Sequence, residues 1–346
     1  MGKEPYLSIV ATTRNDNHGG DLLARTICFV KGIFHQAKKF KLPLELIIVE
    51  WNPPKDKPLL KEVLPIPNAD DLVTVRYIIL PPELHNEYRF SRQIPLYQMI
   101  AKNIGIRRAK GEFVLCTNID LIFSDACFKK IAERKLAHNN FYRANRCDVP
   151  KEIMNIHSVD EQLKFSEKNV INRLGRIYHY KNVNSFPGIF FRLPFMLLLI
   201  DKFIEILKKT KNTQYNIQML DFTACGDFTL MSKKDWMRIH GYCEVDMYSL
   251  HIDSMALMSA APIGMNQKLF PENACSYHIY HDNGWESDYK KPEDILYFLI
   301  KRPSLDWYTV YEVGKKLAQL GKPFELNNDN WGYSDIDLKE FIFTPQ

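Results

Sequence analysis

The sequence predicts an α/β protein built on a mostly parallel β-sheet, and three observations support this class. Strand-like and helix-like segments alternate through the first 145 residues, as expected for parallel strands joined by right-handed crossovers. The apolar run at 113–116 is typical of a short strand that is covered on both faces. Polar side chains follow three of the predicted strands, at the edge where sheets of this class bind their ligands.

The elements of this first unit, residues 1–145, follow one another along the chain. We expect Asp21 to be the N-cap of the first helix, and Ser124 or Asp125 to cap the last one. The predicted elements are a strand at 7–11, a helix at 21–39, strands at 44–50 and 73–80, a helix at 95–108, a strand at 112–117 and a helix at 124–134.

The rest of the chain divides into three further segments, which we expect to belong to the same domain. Ser232 is predicted to cap a helix after a strand at 228–231, Gly241 to end that helix, and Asp253 to open the next one. The segments are an irregular insertion or lid at 146–215, a second structured part at 216–289 and a helical, charged C-terminal tail at 290–346.

Composition and charge exclude some classes of function. A formal net charge of +5 over 346 residues is far from the basic stripe of a nucleic-acid binder, so we expect no nucleic-acid partner. The seven cysteines are scattered and form no C-x-x-C pair, which argues against a disulfide framework and for a reducing compartment. No signal-peptide pattern is visible at the N-terminus. These observations predict a cytoplasmic protein.

The segment at 186–211 is the one candidate for membrane contact. Its apolar stretch is interrupted by Arg192, Pro194 and Asp201, so it falls short of the roughly 20 clean residues that a membrane span requires. From Pro194 onward the spacing is helical, and the stretch ends in lysines. It is therefore either a helix lying on a membrane surface or a buried helix beside the ligand site.

The predicted strand ends carry side chains that can bind a ligand. Thr-Thr-Arg at 12–14 follows the first strand, Glu50 ends the second, and Asn118 and Asp120 follow the strand at 112–117. The glycine-rich loops that bind dinucleotides or cradle phosphates follow none of these strands. A nicotinamide or P-loop interpretation thus loses most of its support, and the ligand is expected to be held by side chains, with or without a metal.

Several segments, taken in order, resemble the GT-A-fold glycosyltransferases of the family-2-like type. The stretches YLSIVATTRND and LPLELIIVEWNPP are similar to the opening of these enzymes, and QMIAKNIGIRRAKGEFVLCTNIDLIFSD to their segment ending in Asp-x-Asp. GDFTLMSKKDWMRIHGYCE followed by HIDS resembles the acceptor-side half of the beta-1,4-galactosyltransferase group, and YHIYHDNGW its late histidine segment. The resemblance covers most of residues 6–286 and implies a GT-A, Rossmann-like fold.

This resemblance implies a sugar donor linked to a nucleoside diphosphate, either UDP or GDP. Thr12, Thr13, Arg14 and Glu50 would hold the nucleoside. Asp120 would take the second acidic position of the Asp-x-Asp motif, where a divalent cation bridges to the diphosphate. The sequence departs from the pattern at Asn118, which stands in place of the first Asp and so weakens the charge of the site. Asn103 would be a structural residue or a donor contact.

The predicted cofactor is Mn²⁺ or Mg²⁺. One carboxylate with one or two imidazoles suits such a cation, and imidazole favours Mn²⁺. His278 and His281, three apart, are the candidate imidazoles beside Asp120. On a strand this spacing would place them on opposite faces, whereas on a helix they would share a side. The alternative is that one of the two histidines is structural.

An inverting transfer needs a base, because an alcohol is a poor nucleophile near neutral pH. Asp253 is the first candidate, since it matches the acidic helix start where the resembling enzymes keep theirs. A plain N-cap role explains Asp253 equally well. Asp227, after a glycine, is the second candidate, and it or His251 could instead bind sugar hydroxyls.

The sequence therefore predicts a metal-assisted, inverting glycosyltransferase that acts on a hydroxyl of a glycan or glycolipid. Its expected partners are a nucleotide sugar and that acceptor, with peripheral membrane contact through 186–211 as an option. The first alternative is a sugar-nucleotide-binding or glycan-binding protein on a degenerate scaffold of the same kind, suggested by Asn118. A sugar nucleotidyltransferase is the second alternative, although the loop TTRNDNHGGD has its glycines late for that class.

Overall fold

The computed structural model describes residues 5–175, 217–281 and 302–345. The candidate membrane-contact helix at 186–211 and the start of the predicted tail, at 290–301, lie outside the described residues. Within those three ranges, no helix is both long enough and apolar enough to cross a bilayer.

Two β-sheets form the framework of the described residues. The strands are β1 (Leu7–Thr13), β2 (Leu44–Trp51), β3 (Val73–Leu80), β4 (Phe113–Thr117), β5 (Leu121–Phe123), β6 (Asn140–Arg143), β7 (Asn145–Val149), β8 (Asn172–Leu174), β9 (Phe228–Ser232), β10 (Asn266–Leu269), β11 (Cys275–Ile279) and β12 (Glu340–Phe343). The larger sheet has the order β10-β6-β9-β4-β1-β2-β3-β12, and the smaller sheet has the order β5-β11-β7-β8. The central strands β4, β1, β2 and β3 are all parallel.

Helices cover the larger sheet, so the predicted class, an α/β fold with a mostly parallel central sheet, is confirmed. The helices are α1 (Leu22–Lys39), α2 (Leu60–Val63), α3 (Pro82–His85), α4 (Gln98–Arg108), α5 (Asp125–Ala132), α6 (Val159–Lys168), α7 (Lys233–Arg238), α8 (Ile252–Ala260) and α9 (Trp307–Gln319). Alternate residues of β1 point into different layers. Val10 belongs to the apolar cluster that contains α4, whereas Ile9 belongs to the cluster that contains α1.

Helix starts follow the sequence signals in part. Ser124 and Ser232 act as the predicted N-caps, and each side chain accepts a hydrogen bond from a backbone N–H three residues later. Asp21 occupies the N-cap position of α1 with a left-handed backbone (φ 50°) and makes no side-chain capping bond. The Oδ1 of Asn17 accepts from the Leu22 N–H instead, at 3.3 Å. The N-cap of α8 is His251, and Asp253 lies in its first turn.

The smaller sheet grows directly out of the end of β4. Only three residues, Asn118 to Asp120, separate β4 from β5, so Asp120 lies at the junction of the two sheets. β11 pairs with β5 on one side and with β7 on the other. In the parallel pair of β11 and β7, His278 stands opposite Asp148. The junction therefore brings Asp120 close to two later parts of the chain. One is β7, with Asp148 28 positions further on, and the other is β11, with His278 about 160 positions further on.

Two sequence expectations on the later segments need correction. Residues 146–175 are not irregular, because they contain β7, a helix α6 and β8; β7 is held by pairing with β11. The C-terminal tail is not helical throughout. After α9, the chain returns as β12, which pairs antiparallel with β3 and places the Phe343 ring against Tyr77 with centroids 5.8 Å apart. Arg76 on β3 also forms ion pairs with Glu45 and Glu340.

Candidate functional site

A cavity of about 260 Å³ opens at the carboxyl ends of β1 and β4, the edge at which α/β sheets bind ligands. Its lining is rich in charged and imidazole side chains. These are four arginines, three histidines and three aspartates: Arg14, Arg25, Arg146, Arg302, His18, His278, His281, Asp16, Asp120 and Asp227. Each aspartate has an arginine partner, in the pairs Arg14–Asp16, Arg25–Asp120 and Arg146–Asp227.

Asp120 occupies the floor of this cavity and is only 8% exposed. Its Oδ2 lies 2.9 Å from His281 Nε2 and accepts from Arg25 Nη1 at 3.3 Å. Its Oδ1 is buried and has no hydrogen-bond partner among the described residues. A buried oxygen of a charged group without a partner is costly, so this atom is suited to a ligand or a cation.

Two histidines from the end of β11 complete a group of potential metal ligands. His278 lies in β11, and His281 lies two residues beyond the end of that strand. The alternation of side chains between the two faces of a strand therefore does not place these two histidines on opposite sides. The His278 Nε2 is 3.8 Å from Asp120 Oδ2, and the two imidazole rings are 5.2 Å apart between centroids. One ligand atom from each of Asp120, His278 and His281 lies within 4.8 Å of the others. The three residues proposed from the sequence as metal ligands thus lie together.

The charge of this group is set by burial and by its cationic neighbours. Burial acts to raise the pKa of Asp120, but His278, His281 and Arg25 more than offset it and hold that pKa well below its usual range. Asp120 is therefore a carboxylate at any physiological pH. A buried carboxylate with imidazole neighbours is a donor set that Mn²⁺ accepts.

Asn118 is held by neighbours that explain why this position carries an amide. Its Oδ1 accepts from Lys102 Nζ at 2.8 Å and from Gln98 Nε2 at 2.7 Å, and its Nδ2 donates to Asp227 Oδ1 at 2.7 Å. Lys102 is fully buried, and burial lowers its pKa. An amide can donate to the carboxylate of Asp227 and accept from Lys102 at once, which a carboxylate cannot do.

Arg146 links Asp227 to the histidine side of the site. Its Nη1 lies 3.1 Å from Asp227 Oδ2, and its Nε donates to Asp148 Oδ1 at 2.7 Å. The same Asp148 oxygen lies 3.1 Å from His278 Nδ1. Burial acts to raise the pKa of Asp148, but His278 and Arg146 reverse that effect and lower it. A continuous series of polar contacts therefore runs from Lys102 to Asp120.

The residues at the carboxyl end of the first strand reach the cavity, as expected from the sequence. Thr12, Thr13 and Arg14 all line it. The Thr12 hydroxyl donates to the Val49 carbonyl at 3.0 Å, and the Arg14 Nε donates to the Asn52 carbonyl at 2.6 Å. These bonds fix the ends of β1 and β2 relative to each other.

Glu50 and Asn103 are not among the residues that line the cavity. Glu50 is fully buried, its Oε2 accepts from the Leu60 N–H at 2.9 Å, and burial raises its pKa to about 7. Asn103 uses both ends of its amide on the backbone of Tyr242, and also donates to Glu244. These contacts give Asn103 a structural role, one of the two that the sequence left open.

Asp253 is partly exposed and is not among the residues that line the cavity. Its Oδ1 accepts from the Ser254 N–H at 2.9 Å. Its Oδ2 packs so closely on Gly226 that a Cβ at that glycine would lie 2.9 Å from it. Gly226 directly precedes Asp227, so the Asp253 carboxylate lies close to the chain at the other candidate base. The His251 ring lies against Trp307 in a tilted arrangement, with ring centroids 5.3 Å apart.

The sequence prediction missed the charged and imidazole residues Asp16, His18, Arg25, Arg146 and Arg302 of the cavity lining, and Lys102 and Asp148, which contact the site residues Asn118 and His278. Arg25 reads as a polar position on an amphipathic helix, and nothing local shows that it pairs with a residue 95 positions away. Arg146 and Asp148 alternate on β7 with the apolar Cys147 and Val149. That alternation is a strand signal, and it could have located β7 within the Asn-rich segment.

Comparisons with known proteins give a distant structural likeness. No family model matches the chain, and no curated protein matches it. Among solved structures, residues 1–349 of the S. aureus glycosyltransferase TarS are similar with a TM-score of 0.40 and 11% identity, over 91% of this chain and 70% of that one.

The amide at position 118 gives a first prediction. Asn118→Asp would place a carboxylate oxygen about 2.7 Å from Asp227 Oδ1 and remove the hydrogen bond between them. We expect a loss of about 1–3 kcal/mol in the free energy of unfolding at pH 7, measured by urea denaturation. The double variant Asn118→Asp with Asp227→Asn re-creates an amide–carboxylate pair and should recover most of that loss. Equal stability of the single variant and the wild type would contradict this account.

Glu50 gives a prediction on pH dependence. The pKa of Glu50 is about 7 in the folded state, against an ordinary value of 4.5. The stability that its protonated form contributes is therefore fully present below pH 4.5 and is lost as the pH rises through 7. The wild type should lose roughly 3 kcal/mol of stability from this group over that interval. Glu50→Gln cannot ionise, so its free energy of unfolding should exceed that of the wild type at pH 8 but not at pH 4.5.

Urea denaturation at both pH values measures this difference, and Glu161→Gln, at an exposed position, serves as the control. A constant offset between Glu50→Gln and the wild type across the range would show that Glu50 does not titrate there.

Proposed function

We propose that this chain is a divalent-metal-assisted glycosyltransferase that moves a sugar from a nucleotide-diphosphate donor to a hydroxyl of a glycan or glycolipid. The observation that carries the proposal is the grouping of Asp120, His278 and His281 on the floor of an arginine-rich cavity. The cavity lies at the carboxyl edge of parallel strands, where ligands of α/β sheets bind.

The donor set of this group fits a hard divalent cation. Asp120 offers the buried Oδ1, which no described residue contacts, and His278 and His281 direct their Nε2 atoms toward the same carboxylate. One oxygen and two imidazole nitrogens are suited to Mn²⁺ more than to Mg²⁺. Once bound, such a cation supplies Lewis-acid stabilisation of the charge that develops on a leaving diphosphate.

The charges of the cavity also support an anionic donor. Among the described residues of the lining, four arginines face three aspartates, a formal excess of one positive charge before the histidines are counted. A diphosphate brings more negative charge than that excess balances, which favours a further cation at Asp120. Arg14 and Arg146 both line the cavity and are held by hydrogen bonds to the Asn52 carbonyl and to Asp148. Guanidinium groups held in this way suit the planar, bidentate recognition of phosphate oxygens.

In the proposed reaction, the acceptor oxygen attacks the anomeric carbon and the bond from that carbon to the diphosphate breaks. The hydroxyl proton passes to a carboxylate, and the nucleoside diphosphate leaves with the bonding electrons. We propose Asp253 as this base, because its side chain is partly exposed and its Oδ2 lies against Gly226, next to the Asp227 that lines the cavity. The alternative, Asp227, already accepts hydrogen bonds at both of its oxygens, from Asn118 and from Arg146. Asp227 is better placed to accept hydrogen bonds from sugar hydroxyls.

The first experiment measures release of nucleoside diphosphate from a panel of UDP- and GDP-linked sugars, with Mn²⁺ and with EDTA. We expect release by the wild type with Mn²⁺ and loss of release with EDTA. Asp120→Asn should lower kcat/KM by at least about 100-fold, because it removes several kcal/mol of stabilisation. Asp160→Asn, at an exposed ion pair away from the cavity, is the control and should match the wild type.

A second candidate function rests on Asn118, which leaves the motif with one carboxylate. The chain would then be a sugar-nucleotide-binding protein without transferase activity. Tight binding of one sugar nucleotide, with no turnover of any donor in Mn²⁺ or Mg²⁺, would establish this alternative and overturn the enzyme proposal.

The base assignment gives a separate prediction. Asp253→Asn should lower kcat by about 10²- to 10⁴-fold, the usual contribution of a general base, with little change in the KM for the donor. The rate is measured with the donor and acceptor that the panel identifies, and far-ultraviolet circular dichroism checks the fold. A full rate in Asp253→Asn would remove this residue as the base.

A further inference from the structure

Asp148 stands directly behind one of the proposed metal ligands without itself lining the cavity. It is 6% exposed and lies opposite His278 in the parallel pairing of β7 and β11. Residues opposite each other on neighbouring strands project from the same face, so the two side chains meet by the register of the sheet. The distance from Asp148 Oδ1 to His278 Nδ1 is 3.1 Å.

This contact selects one orientation and one tautomer of the His278 ring. A carboxylate only accepts hydrogen bonds, so the Nδ1 of His278 must carry a proton. The opposite ring nitrogen, Nε2, is then the one directed toward Asp120, at 3.8 Å. A neutral imidazole with its proton on Nδ1 presents the lone pair of Nε2, which is the form that binds a metal ion.

Asp148 is itself held in place by two side chains. Arg146 Nε donates to Oδ1 at 2.7 Å, and Asn172 Nδ2 donates to Oδ2 at 3.3 Å. Arg146 is in turn fixed by its contact with Asp227, at 3.1 Å. The Asp148 carboxylate that faces His278 is therefore held by two side chains. Removing this carboxylate would remove a fixed contact of the His278 ring and so change the orientation of that ring.

We propose that Asp148 is a positioning residue that holds His278 with its Nε2 toward a divalent cation bound at Asp120. This inference rests on the proposed function, since it assumes that His278 is a metal ligand. Outer carboxylates of this kind raise the basicity of the ligating nitrogen and fix the ring, and their loss costs about 10- to 100-fold in metal affinity. The alternative is an ion pair with Arg146 that stabilises the fold and leaves metal binding unaffected.

Titration of the metal-free protein with Mn²⁺, followed through the electron paramagnetic resonance signal of free Mn²⁺, tests the proposal. Asp148→Ala should raise the Kd for Mn²⁺ by about 10- to 100-fold. Asp148→Asn keeps an acceptor oxygen for the Nδ1 proton but loses the charge, so its Kd should fall between those of the wild type and Asp148→Ala. The matched control is Asp160→Ala, which also removes an aspartate from a histidine, His35, at 3.2 Å but on the exposed surface; its Kd should equal that of the wild type.

The outcomes separate this inference from the proposed function. If the wild type binds Mn²⁺ and Asp148→Ala binds it equally well, the positioning role is overturned and the metal site remains. If the wild type does not bind Mn²⁺, both proposals fail. A second readout, the ¹⁵N shifts of His278 in the metal-free protein, does not depend on metal. We expect the proton on Nδ1 in the wild type and in Asp148→Asn but not in Asp148→Ala; a wild-type proton on Nε2 alone would overturn the inference.

Discussion

The burial of the Asp120 carboxylate is the constraint on which the site depends. A buried charge costs several kcal/mol unless other groups compensate it. Compensation comes from Arg25 on α1, from His278 on β11 and from His281 just beyond that strand. Because these partners lie far apart in the chain, one carboxylate joins the first helix, the end of the parallel sheet and the smaller sheet. The same three contacts leave the Oδ1 of Asp120 without a partner among the described residues, and the proposed chemistry is centred on that atom.

Much of the framework could be predicted from local signals. Continuous apolar runs located β1 to β4, and the capping roles of Ser124 and Ser232 follow from residue type and position. The pairing of the smaller sheet could not be predicted in this way, because its strands pair across large separations in sequence. The strand near the C-terminus was missed because pairing with β3 outweighs its local signal.

Site residues could be predicted where they follow a strand with a strong sequence signal. They could not be predicted where their role depends on contacts with residues far away in the sequence. Asp120 comes directly after a buried strand, and the family resemblance drew attention to His278 and His281. Glu50 shows the limit of that reasoning, since it also ends a strand but is covered by the chain at Leu60 and does not reach the cavity. Arg25 was missed for the opposite reason. It does reach the site, but its ion pair with Asp120 can be seen only in the three-dimensional structure.

The guanidinium of Arg25 does more than neutralise a charge. Besides Asp120, it donates to the carbonyls of His18 and Gly20 in the loop before α1, and His18 lines the cavity. The loop and the carboxylate therefore share one donor group. Any event that changes the charge at Asp120 alters the free energy of that loop conformation. Suppose that a ligand bound at Asp120 changes the affinity of the loop for a second ligand by some factor. By thermodynamic reciprocity, the second ligand then changes the affinity of the first ligand for Asp120 by the same factor.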